Sequence, residues 1–528
     1  MKNLRAICLL LALALVLVPV LSACSEEKTE SSAASQEAAT SEPDLSTEYT
    51  DREGNYIWKT SGKDWSSLKT FTVLTAGVNA DYDSEIVYNV YEKNDSGNML
   101  ALINDQLKMR SEKLEELIGV TVEEKYILDE KRYGGAMANY IRDGNMLNTE
   151  EYQVIAPCLY DGGALAVEGQ LRNLYELEEL GLQIRAPWWN QTFNESMTMA
   201  GQLYITIGDI GLINKDATAA LLFNLDFWNR LNLSDNYGGR NPYQLVRDGD
   251  WTIDVAFETA RAVDPTSLGA VDDPIEGVFG WGGQLDDMWS IFFASGEKIA
   301  KAGSDGYPEL TMYNERSATL MDKLQDFVND SQHYISGNKY FGYKGERWPM
   351  VLVCNGFVEG RALYYNASIG TVNQLKDMAE HYGVVPVPKM DSIQDDYYSL
   401  INPWVSNCFA IPLSTTGDYL AMTIDALNII GAYSGNTIAK DYDQTVLQYM
   451  RSKDADTPEM IFNYILPNRS CDIGMVYKWG DLDSLLQQMA SKPIGTFLSN
   501  YDAKSEAAQT ALDETVDQFK ANAERAGK

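Results

Sequence analysis

Tyr382-Gly383-Val384-Val385-Pro386-Val387-Pro388-Lys389 is the stretch from which the fold is read. Its valines favour an extended backbone, and its two prolines supply no N–H to a ladder. The segment therefore reads as a short strand that leaves a sheet rather than one running through its middle. A helical stretch is expected before it over residues 371–381, closed by the glycine. Further upstream, residues 357–366 read as a turn feeding a second strand that ends in Tyr364, Tyr365 and Asn366. The first strand is expected to cross between two lobes, with a cleft between it and the second.

The chain has 528 residues, 45% of them hydrophobic, which is more than one core usually supports, so two or more core-bearing lobes are expected. At its start, Lys2 and Arg5 precede an apolar run from Ala6 to Val20 and small residues at Ser22 and Ala23, the anatomy of a secretory signal. Leu21-Ser22-Ala23-Cys24 is similar to the lipobox of bacterial lipoproteins, which implies cleavage before Cys24 and its acylation. Loss of residues 1–23 removes two cations and no acid, moving the formal charge from -34 to -36. Such an acidic body excludes nucleic acid as a partner, because displacing counterions from phosphate needs a basic footprint. Cys158, Cys354, Cys408 and Cys471 then remain. Four cysteines permit three pairings, but Cys354 and Cys408 lie in apolar surroundings typical of buried thiols, so no essential disulfide is expected.

Residues 24–60 read as the acylated cysteine and a disordered Ser/Glu/Ala tether, too poor in apolar surface to offset the entropy of ordering. A coil of that length spans roughly 30 Å, enough to hold a folded body near a membrane without burying it. Beyond Trp65, strand and helix alternate. Phe71-Thr72-Val73-Leu74 is extended, a helix with apolar Ile103, Leu107, Leu114, Leu117 and Ile118 stops at Gly119, and residues 120–127 form the next strand. A weaker helix over 132–142 leads to a third strand over 152–156. That pattern implies a mostly parallel sheet whose crevice lies beyond the strands' carboxyl ends, at residues 76–83 and 157–163. Later, residues 199–209 read as a hairpin and strand, 221–224 as a strand, and Thr252 as a helix cap. Residues 318–328 and 418–430 read as helices and 408–412 as a strand. The tail, 505–526, carries Leu512, Val516, Phe519 and Ala523 on one stripe as a docking helix.

In this order the features resemble the extracellular solute-binding proteins of family 1, the sugar-type receptors of ABC importers to which maltose-binding protein belongs. The pieces that carry the resemblance are Pro187-Trp188-Trp189-Asn190, Gly201-Gln202-Leu203-Tyr204 with Gly208-Asp209, Leu222-Phe223-Asn224-Leu225-Asp226, Asp250-Trp251-Thr252, residues 357–365, and residues 383–389 with Gln394. Where the family usually shows Asn-Lys-Asp, this chain has Asn224-Leu225-Asp226. The resemblance implies an α/β, two-lobed periplasmic-binding-protein type II fold, with hinge strands between lobes that close on a ligand. It divides the chain into lobe one at 66–186 and 384–435, and lobe two at 187–383 and 436–528. It also implies a monomer that delivers a solute to ABC permease subunits served by a separate ATPase, held at the extracytoplasmic face of the cell membrane by its lipid alone.

A sugar presents apolar C–H faces and a rim of hydroxyls, so its site needs flat aromatics with a few carboxylates and amides. By position the candidates are Asn79 and Asp81 in the first loop, Tyr160 and Asp161 in the third-strand loop, and Asp209 at a strand end. Trp281, framed by glycines that would let a ligand approach, Trp289 two helical turns on, Tyr365, Asn366 and Trp404 complete the set. Trp188, Trp189, Trp251 and Trp348 read as packing residues.

A surface glycoside hydrolase would need two opposed carboxylates, and no short motif nominates them; Asp286-Asp287 and Asp395-Asp396 read as exposed polar positions. The only two histidines, His333 and His381, have no zinc-site spacing and no Gly-x-Ser-x-Gly elbow nearby. No cofactor and no metal are expected, and the chain is read as a binder rather than an enzyme. An oligosaccharide is the expected ligand, with a peptide or another non-sugar solute on the same fold, or a surface glycoside hydrolase, as the alternatives.

Overall fold

The computed structural model describes residues 48–78, 84–87, 98–269, 271–375, 377–451 and 455–526. The signal, Cys24, Asn79 and Asp81 therefore lie outside the described residues. In chain order the strands are β1 (Thr70–Gly77), β2 (Thr121–Leu128), β3 (Val154–Ala156), β4 (Ala219–Asn224), β5 (Phe279–Gly283) and β6 (Ala300–Ala302). They continue with β7 (Pro308–Leu310), β8 (Tyr334–Ser336), β9 (Ala362–Ser368), β10 (Tyr382–Val385), β11 (Ser399–Leu400) and β12 (Arg469–Ser470).

Two sheets carry the architecture. In the first, β1 lies between β2 and β3, parallel to both. Its central position explains why Phe71, Val73 and Leu74 are all buried although they point to both faces. Ala410 bridges Ile155 of β3 antiparallel, and Thr206 bridges Phe409 in turn, so two further segments extend this sheet. The second sheet runs β10-β4-β9-β5-β8, with β5 parallel to β8 and β9, and β4 antiparallel to β9 and β10. The same order thus occurs twice: three parallel strands, an antiparallel strand that follows a crossing from the other lobe, and an outer strand. That duplicated, strand-exchanging arrangement is the two-lobed α/β fold of periplasmic-binding-protein type II.

Helices cover the sheets. The helix Asn98–Ile118 buries Leu107, Leu114 and Ile118. It ends at Gly119, whose φ of +80° suits glycine and whose added Cβ would meet Asp64 Oδ1 at 2.7 Å. The helix Gly417–Asn436 packs against it, and Glu315–Val328 turns its apolar stripe into the second lobe.

Three expectations are corrected by the pairing. First, β10 is an edge strand of the second sheet and does not cross. Val384 pairs with Leu222 and Val385 with Leu221, and the chain after Pro386 stays on that lobe, where Trp251 Nε1 donates to Pro386 O at 3.0 Å and Ile253 N to Lys389 O at 2.9 Å. The crossings are instead residues 209–218 and the run from Ile401 to Asn407. They lie side by side, with Thr218 bridging Ile401 and Asn402 N donating to Ala217 O at 3.0 Å. Second, the helix expected over 371–381 is a short 3-10 turn, Ile369–Gln374. Third, residues 48–60 are not loose tether but lie on the body: Tyr49 is buried, and both Tyr49 and Tyr56 pack on Trp188 with ring centroids about 6 Å apart. The segment after residue 436, expected on the second lobe, touches both. The helix Ile438–Arg451 packs on Asn98–Ile118, and the C-terminal helix Phe497–Ala526 accepts a bond at Phe519 O from Gln202 Nε2, 3.0 Å.

Candidate functional site

At the carboxyl ends of β5 and β9, beside the two crossings, lies a cleft of about 410 Å³. Strand geometry dictates its position: the parallel strands end here, and β4, running the other way, begins here with Ala219. Gln284 and Asp286 come from the turn after β5, and Trp289 and Ser290 from the helix Asp287–Ala294. Asn366 comes from β9, and Asn402 from the return crossing. Trp348 and Tyr365 add aromatic surface.

Asp286 is the polar centre. Its Oδ1 accepts from Gln487 Nε2 at 2.8 Å, and its Oδ2 from Asn402 Nδ2 at 3.0 Å and Gln284 Nε2 at 3.4 Å. Burial pushes its carboxyl up to about 6, opposed by the two amides. Its neighbour Asp287 serves the scaffold: it accepts from Trp281 Nε1 at 2.9 Å, Tyr334 OH at 3.1 Å and Gln284 N at 3.2 Å. Burial raises that carboxyl to about 7. The pair expected to be exposed is thus partly to fully buried, whereas Asp395 and Asp396 are exposed.

Of the sequence candidates, Trp289, Tyr365 and Asn366 line the cleft. Trp289 Nε1 donates to Asp483 O at 2.7 Å, which joins the second lobe to the C-terminal segment. Trp404 is half-buried beneath the Arg132 guanidinium, 5.4 Å from its ring, next to the cleft residues Asn402 and Val405. Tyr160, buried, donates to Asp483 Oδ2 at 3.4 Å under Lys478 Nζ, 4.7 Å from its ring, and lies 5.6 Å from Tyr133. Asp161 accepts from Gly134 N at 2.7 Å, pinning the loop after β2, and burial lifts it to about 6.

Two candidates sit elsewhere. Trp281 is fully buried among Phe257, Phe327 and Tyr364. The glycines around it serve packing: a Cβ on Gly280 would meet Ala260 O at 2.1 Å and one on Gly283 would meet Asp287 Oδ2 at 2.0 Å. Asp209 lies in the first crossing, where burial raises its carboxyl against the opposing charges of Lys215 and Arg469.

Sequence reasoning passed over Gln284, Asp286, Asn402 and Trp348. The position of Asp286, three residues beyond the carboxyl end of β5, was the available signal. Trp348 stands 45% exposed at the cleft, while Trp188, Trp189 and Trp251 are buried as expected. Cys158, Cys354, Cys408 and Cys471 are free and buried. Among the described residues no group of three or more His, Cys, Asp or Glu could hold a metal ion. His333 and His381 are bonded to Asp330 and Asp226, away from the cleft lining.

No protein-family model matches the chain, and no curated protein matches it. Among solved structures it is similar to an ABC substrate-binding protein of Listeria monocytogenes in complex with cycloalternan, at 14% identity and a TM-score of 0.49, covering 85% of this chain and 98% of that one. It is also similar to UgpB of Mycobacterium tuberculosis in complex with glycerophosphocholine, at 14% identity and a TM-score of 0.49, covering 78% and 96%. A third is a cyclo/maltodextrin-binding protein complexed with maltotetraose, at 12% identity and a TM-score of 0.47, covering 86% and 97%.

Proposed function

We propose that this chain is an extracytoplasmic solute-binding receptor that takes a small polar solute, an oligosaccharide, into the cleft beside its inter-lobe crossings and hands it to an ABC permease. The observation that carries the reading is the cleft itself, placed at strand ends beside two adjacent crossings and lined by Trp289, Trp348, Asp286, Gln284 and Asn366. Such crossings let one lobe rotate on the other while the cleft opens and shuts. Flat rings with carboxylate and amide acceptors suit the faces and hydroxyls of a sugar. No bond is made or broken in this role. Lipid attachment at Cys24 would keep the receptor beside its permease. Among the described residues no helix is long and apolar enough to cross a membrane.

The test is thermal unfolding of the chain from residue 48 onward against oligosaccharides, peptides, amino acids and polyols. A ligand at a hundredfold excess over its Kd stabilises by roughly 2.7 kcal/mol, seen as a raised midpoint. Recovery of the sugar chemically unchanged supports the receptor; release of cleaved sugar overturns it.

A further inference from the structure

We propose that the solute taken by this cleft carries a protonated amine, which docks against the Asp286 carboxylate. This rests on the receptor reading and narrows its ligand.

Among the described residues the cleft lining contains no Lys, Arg or His. Among the described residues Asp286 makes no ion pair: its partners are the side-chain amides of Asn402, Gln487 and Gln284, which orient the carboxylate without cancelling its charge. Asp287, Tyr334 and Tyr160 are titratable groups that feel its charge, and the cations around the site are already held, Arg132 by Val405 O and Asn407 Oδ1 and Lys478 by Asp483 Oδ2. A desolvated carboxylate left without a counter-charge is costly, and a ligand cation removes that cost on binding.

A second observation has the same sign. Asn366, 3% exposed and in the same lining, donates its Nδ2 to Ser290 Oγ at 3.0 Å, and its Oδ1 has no partner. A buried carbonyl without a donor is an acceptor awaiting one. The acceptor capacity at these two residues suits a ligand that donates.

An ammonium brings three donors and a charge, whereas a hydroxyl brings one donor and leaves Asp286 uncompensated. Aromatic walls at Trp289, Trp348 and Tyr365 favour a cation further. Trp348 already carries one, the exposed Arg347 guanidinium, 5.2 Å from the ring. A carboxylate or phosphate in the same place would face Asp286 directly.

Two kinds of solute supply such an amine, an amino sugar and a peptide with a free N-terminus, and calorimetric titration at pH 7 separates them. The probes are glucosamine oligomers against their N-acetylated counterparts, and short peptides with free against acetylated N-termini. The expected result is tenfold or tighter binding of the amine form in one series, with the preference abolished in Asp286→Asn. If peptides alone show it, the amine stands and the oligosaccharide reading falls. If acetylated and free forms bind alike, or if the preference survives in D286N, the inference is overturned and the receptor reading is untouched. If no member of either series binds, both fall. Should D286N fold poorly, the wild-type ratio of the two forms decides alone.

Discussion

Asn402 Nδ2 donates to Asp286 Oδ2 at 3.0 Å, so the crossing that returns the chain to the first lobe is tied to the carboxylate at the centre of the cleft. The Asn402 Oδ1 meanwhile accepts from Trp404 N at 3.0 Å and Val405 N at 3.4 Å, shaping the turn. One side chain thus sets both the path of a hinge segment and the orientation of a binding group. Asn402→Asp keeps the acceptor and exchanges the donor for a second carboxylate beside Asp286. Like-charge repulsion should lower its unfolding midpoint at pH 8 more than at pH 5, and the same added charge should raise its affinity for an amine ligand. Calorimetry and melts at the two pH values measure this; unchanged affinity would remove Asp286 and its amide from the binding site.

Two tryptophans separate contact from packing. Trp348 is 45% exposed, so Trp348→Ala should change stability by no more than about 1 kcal/mol while weakening ligand binding about tenfold. Trp281 is fully buried, and Trp281→Ala should cost roughly 3–5 kcal/mol and also leave Asp287 Oδ2 with Tyr334 OH in place of its two donors. Denaturant titration paired with binding assays distinguishes them. A stable Trp281→Ala protein that has lost only binding would return Trp281 to the site.

Asp287 gives a pH dependence whose sign is fixed by the direction of its shift. Its folded pKa is raised to about 7, above an unfolded value near 3.9, so between those values the folded state holds the proton more tightly. Its contribution is present at low pH and is lost as pH rises from about 4 through about 7, with no further change above. The loss is on the order of 2–4 kcal/mol. Asp287→Asn keeps an acceptor for Trp281 Nε1 and carries no charge, so the difference in unfolding free energy between pH 5 and pH 8 should shrink by about that amount. An identical pH profile for variant and wild type would contradict the assignment.

The elements were legible where one signal dominated. The strands β1 and β2, the stop at Gly119 and the cap at Thr252 follow from periodicity and turn chemistry alone. The role of β10 was half legible: two prolines predict an edge, and it is one, but whether an edge strand crosses to another lobe depends on what pairs beyond it. In the site, Trp289, Tyr365 and Asn366 were reachable because they sit just past or at strand ends. Asp286 was not, since an Asp-Asp pair reads as solvated until Asn402 and Gln487, distant in sequence, are seen to enclose it. Trp281 misled because glycines permit close approach of a neighbouring helix as readily as of a ligand.

The segment before the first strand makes the last prediction. Expected as tether to residue 60, it instead lies along the helix Gly417–Asn436, which holds it by side chains one to two turns apart. Asn436 brackets Tyr56, accepting its N–H at 2.7 Å and donating to its carbonyl at 2.8 Å; Asn428 Nδ2 donates to Lys59 O at 3.0 Å. Asp425, buried, accepts from Ser61 N and from Trp65 Nε1, both at 2.8 Å. Tyr49 and Tyr56 cap Trp188. Removing residues 48–61 uncovers an indole, the buried Asn428 amide and the half-buried Asn436 amide, a loss of roughly 3 kcal/mol or more by apolar area and unpaired donors. A chain starting at 62 should therefore melt several degrees below one starting at 48, and Asp425→Ala should reproduce much of the deficit by orphaning Trp65 Nε1. Binding should survive in both, because none of these residues lines the cleft. Equal midpoints for the two chains would make the segment tether after all.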